Sequence, residues 1–258
     1  MKIRTMALLG GIALSLPLSA SVLKVASEDF TADANLITFS EVALGTVNPV
    51  YTAADYGGEA TDPIVSFGGY FLGQSLSASP DTDCPGAAAS ACIVGSPFGS
   101  LSLDANAPDT FTVNDGSNPS SPVLSGSPIF SGGVALLFSE DQFAVGFDGG
   151  FFDAVASTAI TAFDRDGNVL GSVANEVTGI EFLGLAMADG ANAIAGVFLD
   201  LIGEEPGGFA IDNIRFGSSE EVDVVIDDGN EIEVSEPAAL SMFALLFAGL
   251  ISRRKMKK

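Results

Sequence analysis

Residues 154–173 read AVASTAITAF, DRDGN, VLGSV, so two apolar segments flank five polar residues, Asp164 to Asn168. An Asp-Gly step between apolar segments predicts a β-hairpin, because glycine accepts the positive φ angle that tight turns between twisted strands require. The Asp-x-Asp-x-Asn spacing also resembles the start of a calcium loop. An EF-hand needs a bidentate acid at its twelfth position, where this chain has Asn175. The segment therefore favours a hairpin turn over a calcium loop.

The segments on both sides of this hairpin have the same character. Phe143, Val145 and Phe147 alternate with small or polar residues, which predicts a strand with one buried face. Other predicted strands are Leu36–Phe39, Ile64–Phe67, Tyr70–Leu72, Val169–Val173, Ile180–Phe182, Ala195–Ile202 and Phe209–Phe216. Because these strands are short and separated by Gly, Asp, Asn and Pro, the sequence predicts an all-β fold, a single β-sandwich over residues 28–217.

Two segments lack this alternation. Residues 77–100 form a small-residue loop that contains Cys84 and Cys92. Because an exported protein meets an oxidising compartment, these two cysteines are expected to form a local disulfide. Residues 104–128 are rich in Asn, Asp, Gly, Ser and Pro, which predicts a long polar loop.

The charges are divided unevenly along the chain. All 33 acidic residues lie between Glu28 and Glu236, where the only basic residues are Arg165 and Arg215, so this segment carries a formal charge of about −31. Such a charge repels nucleic acid, anionic lipid and anionic polysaccharide. A role in binding nucleic acid is therefore excluded.

The N-terminus has the pattern of a secretory signal peptide over residues 1–21. Lys2 and Arg4 precede an apolar stretch from Met6 to Leu18, and the small residues Ser19, Ala20 and Ser21 follow. This order is typical of a signal that signal peptidase removes, and cleavage after Ala20 and cleavage after Ser21 both fit it. We expect the protein to be exported.

The C-terminus carries a second targeting pattern. An acidic segment without cations, residues 218–235, is expected to be an extended linker. After it come Ser235-Glu236-Pro237, an uncharged apolar run from Ala238 to Ile251, and five cations that begin with Arg253-Arg254-Lys255. The 14-residue run is short for a permanent span, which needs about 20 residues. The basic cluster is expected to stay on the cytoplasmic side of the membrane.

This tail, residues 236–258 with Ser235, resembles the PEP-CTERM sorting signal of bacterial exported proteins. Ser235 stands where the motif has its first proline. The resemblance implies recognition and processing by an exosortase-type enzyme, after an intermediate anchored in the inner membrane through a short helix. It also implies a final place at the cell surface or in the extracellular matrix, where many members are associated with biofilm and exopolysaccharide. The Asp212-to-Gly217 phrase resembles the last strand of exported jelly-roll modules, which implies a jelly-roll-like sandwich.

Missing residue types restrict the chemistry. The chain has no histidine, which excludes Ser-His-Asp and Cys-His catalysis and the usual zinc sites. Gly-x-Ser-x-Gly and the phosphate-binding glycine motifs are also absent from the sequence. A pair of carboxylates, as in glycosidases, remains as a minor alternative. We therefore expect a non-enzymatic protein.

Two sets of candidate ligand-binding residues remain. Carbohydrate-binding jelly rolls often hold a structural calcium ion between an early and the last strand, and by this resemblance Glu41 and Asp212 are the candidate ligands. Sugar sites usually contain exposed aromatic residues; the chain has no tryptophan, and its three tyrosines are Tyr51, Tyr56 and Tyr70, with Asp55 and Asp62 nearby. The sequence leaves two alternatives open: a polysaccharide-binding module and a structural matrix component without a specific ligand.

Overall fold

A computed structural model describes residues 21–116 and 118–224, without the side chains of residues 118–120. The predicted signal peptide up to residue 20, the linker from residue 225 and the sorting motif lie outside the described residues. The motif residues concerned are Ser235, Glu236, Pro237, Arg253, Arg254 and Lys255. In residues 21–116 and 118–224, no helix is both long and apolar enough to cross a bilayer.

The described part of the chain is dominated by antiparallel strands. They are β1 (Val22–Val25), β2 (Asn35–Ile37), β3 (Val50–Tyr51), β4 (Val65–Gly68), β5 (Gln74–Leu76), β6 (Ile93–Gly95), β7 (Thr110–Asp115), β8 (Asn118–Gly126), β9 (Val134–Gln142), β10 (Ala144–Phe152), β11 (Thr158–Phe163), β12 (Val169–Ala174), β13 (Gly179–Met187), β14 (Ile194–Leu201) and β15 (Ala210–Gly217). The helices are short: α1 (Ala53–Tyr56), α2 (Pro80–Asp83), and the 3-10 turns Ser27–Asp29 and Ala89–Ala91.

These strands form two large sheets and one small hairpin. The first sheet has the order β1-β13-β10-β15-β8-β7, and β2 also pairs with β15. The second has the order β12-β11-β14-β9-β4-β3, while β5 and β6 pair with each other. The buried rings of Phe216 in the first sheet and Phe138 in the second lie 5.2 Å apart between centroids. The all-β prediction is confirmed, and aromatic residues fill the space between the sheets as in a β-sandwich.

The predicted hairpin is present as β11 and β12. The Asp164 carboxylate accepts hydrogen bonds from the backbone N–H groups of Asp166 (2.9 Å) and Asn168 (2.8 Å), and Gly167 has a φ angle of 81°. The Asn168 side-chain amide also donates to Asp164. Because the turn itself uses the Asp164 oxygens, the Asp-x-Asp-x-Asn spacing reflects turn chemistry.

Strand β10 differs from its predicted pattern. Not only Phe143, Val145 and Phe147 but also Ala144 and Gly146 are buried, so both faces of the strand are covered. A Cβ atom on Gly146 would lie 2.5 Å from the Phe182 ring, which packs over that position. The small residues Ala144 and Gly146 therefore do not face solvent, and Gly146 leaves space for the Phe182 ring.

The prediction of one long loop over residues 104–128 is wrong. Strands β7 and β8 pair through this segment, with Thr110 opposite Gly126 and Val113 opposite Val123. Strand β8 also pairs with β15, and Phe111 of β7 forms a bridge with Val47, so both strands also contact segments that are distant in sequence. The predicted Cys84–Cys92 disulfide is confirmed, in a 77–100 segment that also contains β6.

The folded part extends beyond the predicted boundary at Gly217. Val222 is 4% exposed and forms a bridge with Phe30, and the Glu221 carbonyl accepts the Thr31 N–H at 3.0 Å. The first residues of the expected 218–235 linker are therefore packed against the N-terminal segment.

Candidate functional site: a polar groove at Asn35

Two adjoining cavities of about 700 and 520 Å³ share Asn35, Asp62 and Glu221 in their linings, and together we call them the Asn35 groove. The larger cavity is also lined by Ala60, Thr61, Pro63, Ile64, Ser139, Glu140, Asp141, Gln142, Asn192 and Ser218. The smaller is also lined by Ala32, Asp33, Ala34, Leu36, Tyr56, Gly57, Gly58 and Glu59. Both volumes lie in the range of about 300–1,000 Å³ that is usual for ligand sites.

One wall of the groove is the segment that follows α1. Gly57 ends the helix with a φ angle of 78°, and Tyr56 packs its ring 5.5 Å from that of Phe216. The Tyr56 hydroxyl donates a 2.6 Å hydrogen bond to the Pro63 carbonyl, and Asp62 accepts the Glu59 N–H at 2.6 Å. This loop is therefore held in one conformation by its own hydrogen bonds.

Two buried amide side chains face the groove. Asn35, at the start of β2, is 8% exposed, and within residues 21–116 and 118–224 its side chain has no hydrogen-bond partner. Gln142, at the end of β9, is 7% exposed; its Nε2 donates to the Glu140 carbonyl at 2.8 Å, and its Oε1 accepts no hydrogen bond from a described residue. The buried side-chain polar atoms without a partner in the described residues are Tyr51 OH and Thr158 Oγ1, so the open amide atoms of Asn35 and Gln142 keep access to solvent. They border the groove, where water or a ligand can bond to them.

Asn35 lies close to one of the groove carboxylates. A Cβ atom added to Gly58 would lie 2.9 Å from Asn35 Oδ1 and 2.6 Å from Asp62 Oδ2, so these two oxygens are neighbours across the glycine. Gly58 leaves this space open, and any larger residue would fill it. An amide beside a carboxylate supplies both a donor and acceptors, which matches the two-way hydrogen bonding of adjacent hydroxyl groups.

The groove is strongly acidic. None of the described lining residues is lysine or arginine. Six carboxylates line the groove: Asp33, Glu59, Asp62, Glu140, Asp141 and Glu221. Arg165 binds Asp141 from outside the lining, with Nε at 3.0 Å, and donates to the Phe138 carbonyl at 2.7 Å. The groove therefore excludes anions by charge.

The three predicted tyrosines have different positions. Tyr51 is 0% exposed in an aromatic cluster with Phe39 and Phe67, with centroid distances of 6.0 Å to each. Tyr70 is 9% exposed in the core cluster that includes Phe163. Of the three, only Tyr56 lines the groove, together with the predicted neighbour Asp62. Tyr51 and Tyr70 are core residues.

Replacing Tyr51 by phenylalanine is expected to raise the free energy of unfolding by about 1 kcal/mol. The Tyr51 hydroxyl is buried without a hydrogen-bond partner among the described residues, and burial, followed by the charges of Glu41, Asp55 and Asp212, raises its pKa. Tyr56→Phe is the matched control: it removes the donor to Pro63 and should lower the same free energy. Urea unfolding measures both variants, and a Tyr51→Phe protein less stable than the wild type would refute this account.

The assignment of Glu41 and Asp212 as calcium ligands stays a prediction. The Glu41 carboxylate accepts hydrogen bonds from Thr38 N (3.1 Å) and Thr38 Oγ1 (2.8 Å), whereas Asp212 is 2% exposed and accepts the Asn213 N–H at 2.7 Å. Calcium takes six to eight oxygen ligands. Within residues 21–116 and 118–224, no group of three or more acidic or cysteine side chains is placed to hold a metal ion.

The sequence did not reveal a pair of neighbouring carboxyl groups outside the groove, Glu205 and Asp153. Glu205 is 0% exposed and accepts hydrogen bonds from Asp153 N (3.0 and 3.1 Å) and Ser157 Oγ (2.6 Å). Burial, with the adjacent Asp153 charge, raises the pKa of Glu205. Glu205 is enclosed, and its hydrogen bonds tie residues 153 and 157 to residue 205. It fixes a loop.

Comparison with known proteins gives no family for this chain. No protein-family model and no curated protein sequence matches it. Among solved structures, the enzymatically active domain of tailspike protein 4 from bacteriophage CBA120 is similar at 21% identity and a TM-score of 0.27. That similarity covers 42% of this chain and 17% of the tailspike chain.

Proposed function

We propose that this protein is an exported, non-enzymatic component of the cell surface or extracellular matrix, and that it binds neutral polysaccharide in the Asn35 groove. The signal sequence directs it to signal peptidase, and the tail holds it at the inner membrane until an exosortase-type enzyme processes it. In this proposal the β-sandwich is a jelly-roll-like binding module, and the tail determines where the module is displayed.

The observation that supports the binding proposal is the lining of the groove, where two amide side chains, Asn35 and Gln142, leave hydrogen-bonding atoms open. The amide group of each side chain can both donate to and accept from a ligand hydroxyl group. The rest of the lining consists largely of carboxylates and hydroxyls, so the groove offers many acceptors and few apolar contacts. A ligand rich in hydroxyl groups meets this requirement.

Charge decides which polysaccharides fit. Six carboxylates in the groove and a formal charge of about −31 between Glu28 and Glu236 disfavour uronic acid and sulfated polymers. A neutral glycan has no such penalty. Its hydroxyls also donate hydrogen bonds to carboxylates, and hydrogen bonds to charged groups are the stronger kind.

The non-enzymatic part of the proposal is supported by the residue types and the geometry together. The chain has no histidine. Glu205 has a raised pKa and a neighbouring carboxyl group, but it is enclosed and lies outside the groove. The groove carboxylates Asp62 and Glu221 each accept hydrogen bonds from backbone N–H groups. These bonds hold them in place as hydrogen-bond acceptors at the groove.

Calorimetric titration of the full-length protein tests the proposal. The ligands are three neutral polysaccharides (a mixed-linkage β-glucan, a galactomannan and dextran), with alginate as the anionic comparison. We expect saturable binding of a neutral polymer, no binding of alginate, and at least a tenfold weaker affinity for Asn35→Ala. Asn106→Ala is the matched control, because Asn106 is an exposed amide outside the groove that bonds only within its own turn. Equal affinity of Asn35→Ala and wild type, or no binding of any neutral polymer, would contradict the proposal.

A further inference from the structure

A further cavity, separate from the two that form the Asn35 groove, lies where strand β10 ends. We call it the Phe151 cleft. It has a volume of about 200 Å³ and is lined by Asp115, Phe130, Phe151, Asp153, Phe209 and the Gly207–Gly208 turn. The Phe151 side chain is 57% exposed. Leaving a phenylalanine in water forgoes about 1.5–3 kcal/mol of burial free energy. A ligand in this cavity would bury part of the Phe151 ring and recover some of that free energy.

The walls of this cleft are held in place by hydrogen bonds. The Asp153 carboxylate accepts the Gly207 N–H at 2.7 Å, and the Asp153 N–H is bound by the buried Glu205. On the other side, the Phe130 carbonyl accepts the Phe209 N–H at 2.7 Å, and Phe130 N–H donates to Ser125 Oγ at 2.6 Å. A ligand would meet a site that is already formed, so little conformational entropy would be lost on binding.

The chemistry of the cleft favours an uncharged, hydroxyl-rich ring. The rings of Phe130 and Phe151 line the cleft and provide apolar contact area for the C–H surface of a sugar. The Asp153 carboxylate can accept hydrogen bonds from the hydroxyl groups of the sugar. At about 30 Å³ for each water in the liquid, the cavity holds the volume of about seven waters, which is the scale of one sugar ring.

Charge argues against the other occupants of an exposed aromatic site. Asp115 and Asp153 line the cleft and Glu205 lies beneath it, so an anionic ligand would be repelled. A second copy of this chain placed face to face would bring the two Asp153 carboxylates together, between bodies that each carry about −31 charges. A neutral glycan avoids both costs.

The Phe151 cleft and the Asn35 groove lie at opposite ends of β10. Gln142 of the groove ends β9, two residues before the first residue of β10, and Phe151 is the penultimate residue of β10. At about 3.3 Å per residue, the two positions are about 30 Å apart along the strand. Two sugar polymers that cross the sandwich at its two ends would therefore not exclude each other.

We infer that the Phe151 cleft is a second binding site for neutral polysaccharide, and that one protein molecule cross-links two polysaccharide segments. The cross-linking part rests on the proposed function of the Asn35 groove, whereas the cleft itself rests on its own residues. Two linked sites raise the apparent affinity for a polymer without any new contact. This gives a matrix protein a mechanical role, because it joins chains as well as coating them.

The test uses the full-length protein and the same three neutral polysaccharides. Affinity electrophoresis measures binding, and dynamic light scattering measures cross-linked particles. We expect Phe151→Ala and Asn35→Ala each to weaken apparent binding at least tenfold and to abolish cross-linking, while the double variant does not bind. Phe151→Tyr should bind and cross-link like the wild type, since it keeps the ring. Phe98→Ala is the matched control, because Phe98 is a 64% exposed ring outside the cleft.

The outcomes separate the two proposals. If Phe151→Ala binds and cross-links like the wild type, the second site is refuted and the groove proposal stands. If Phe151→Ala loses all binding and Asn35→Ala loses none, the cleft is the binding site and the groove proposal fails. If no neutral polysaccharide binds the wild type, both are overturned. Because Phe151 is exposed, its substitution is expected to leave folding intact, which the thermal unfolding midpoint checks.

Discussion

Replacing Glu205 by alanine is expected to lower the free energy of unfolding by about 2–4 kcal/mol. The side chain is 0% exposed, and its removal would leave Asp153 N–H and Ser157 Oγ–H without their acceptor. Glu204→Ala is the matched control, since the neighbouring Glu204 is exposed and should change the same free energy by less than about 0.5 kcal/mol. Urea unfolding at pH 5 gives both values. Equal stability of the two variants would show that Glu205 is not a structural carboxyl.

The pH dependence of stability gives a second test of Glu205. Its folded-state pKa is raised, chiefly by burial, so the unfolded state ionises more readily than the folded state. The associated stability is complete below the unfolded pKa of about 4.3 and is lost as the pH rises through the folded pKa. Glu205→Gln keeps the shape and an acceptor but does not titrate. We therefore expect the variant to gain stability relative to the wild type as the pH rises from about 4. Parallel curves would contradict the assignment.

Replacing Phe216 by alanine is expected to cost about 3–5 kcal/mol of unfolding free energy and to weaken polysaccharide binding as well. The ring is 0% exposed and contacts Phe138 of the opposite sheet and Tyr56 of the groove wall. The cavity would therefore loosen both the sheet packing and the position of Tyr56. Urea unfolding and calorimetry measure the two effects.

The control for Phe216 is Phe98→Ala, which removes an exposed ring of the same size outside both candidate sites. It should change the unfolding free energy by no more than about 0.5 kcal/mol, since a surface substitution leaves no cavity. A cost below about 1 kcal/mol for Phe216→Ala would mean that the two sheets do not depend on this contact.

Local chemistry made part of this fold predictable. The hairpin at Asp164–Asn168 was foreseen because its turn uses bonds among residues two to four positions apart. The disulfide was foreseen because two cysteines close in sequence had no other partner. By contrast, β7 and β8 were missed, because their segment is rich in polar and turn-forming residues although the two strands pair with each other.

The candidate sites depended even more on distant pairings. Asn35, Asp62, Gln142 and Glu221 become neighbours only because β2 pairs with β15 and β4 pairs with β9. The sequence did point to the region of Tyr56 and Asp62, through the clustering of tyrosines and acids. Phe151 was hidden among nineteen phenylalanines, a residue type that is usually found in the core. An exposed member can be distinguished only by its place at the end of β10.

The position of β15 has a consequence for how the chain comes to be assembled. Among the described strands β15 comes last in the sequence, yet it lies between β10 and β8 and also pairs with β2. A growing chain that has not yet reached Ala210 therefore lacks the strand that joins the two halves of its sheet. The earlier strands must wait with open edges, which are prone to wrong pairing.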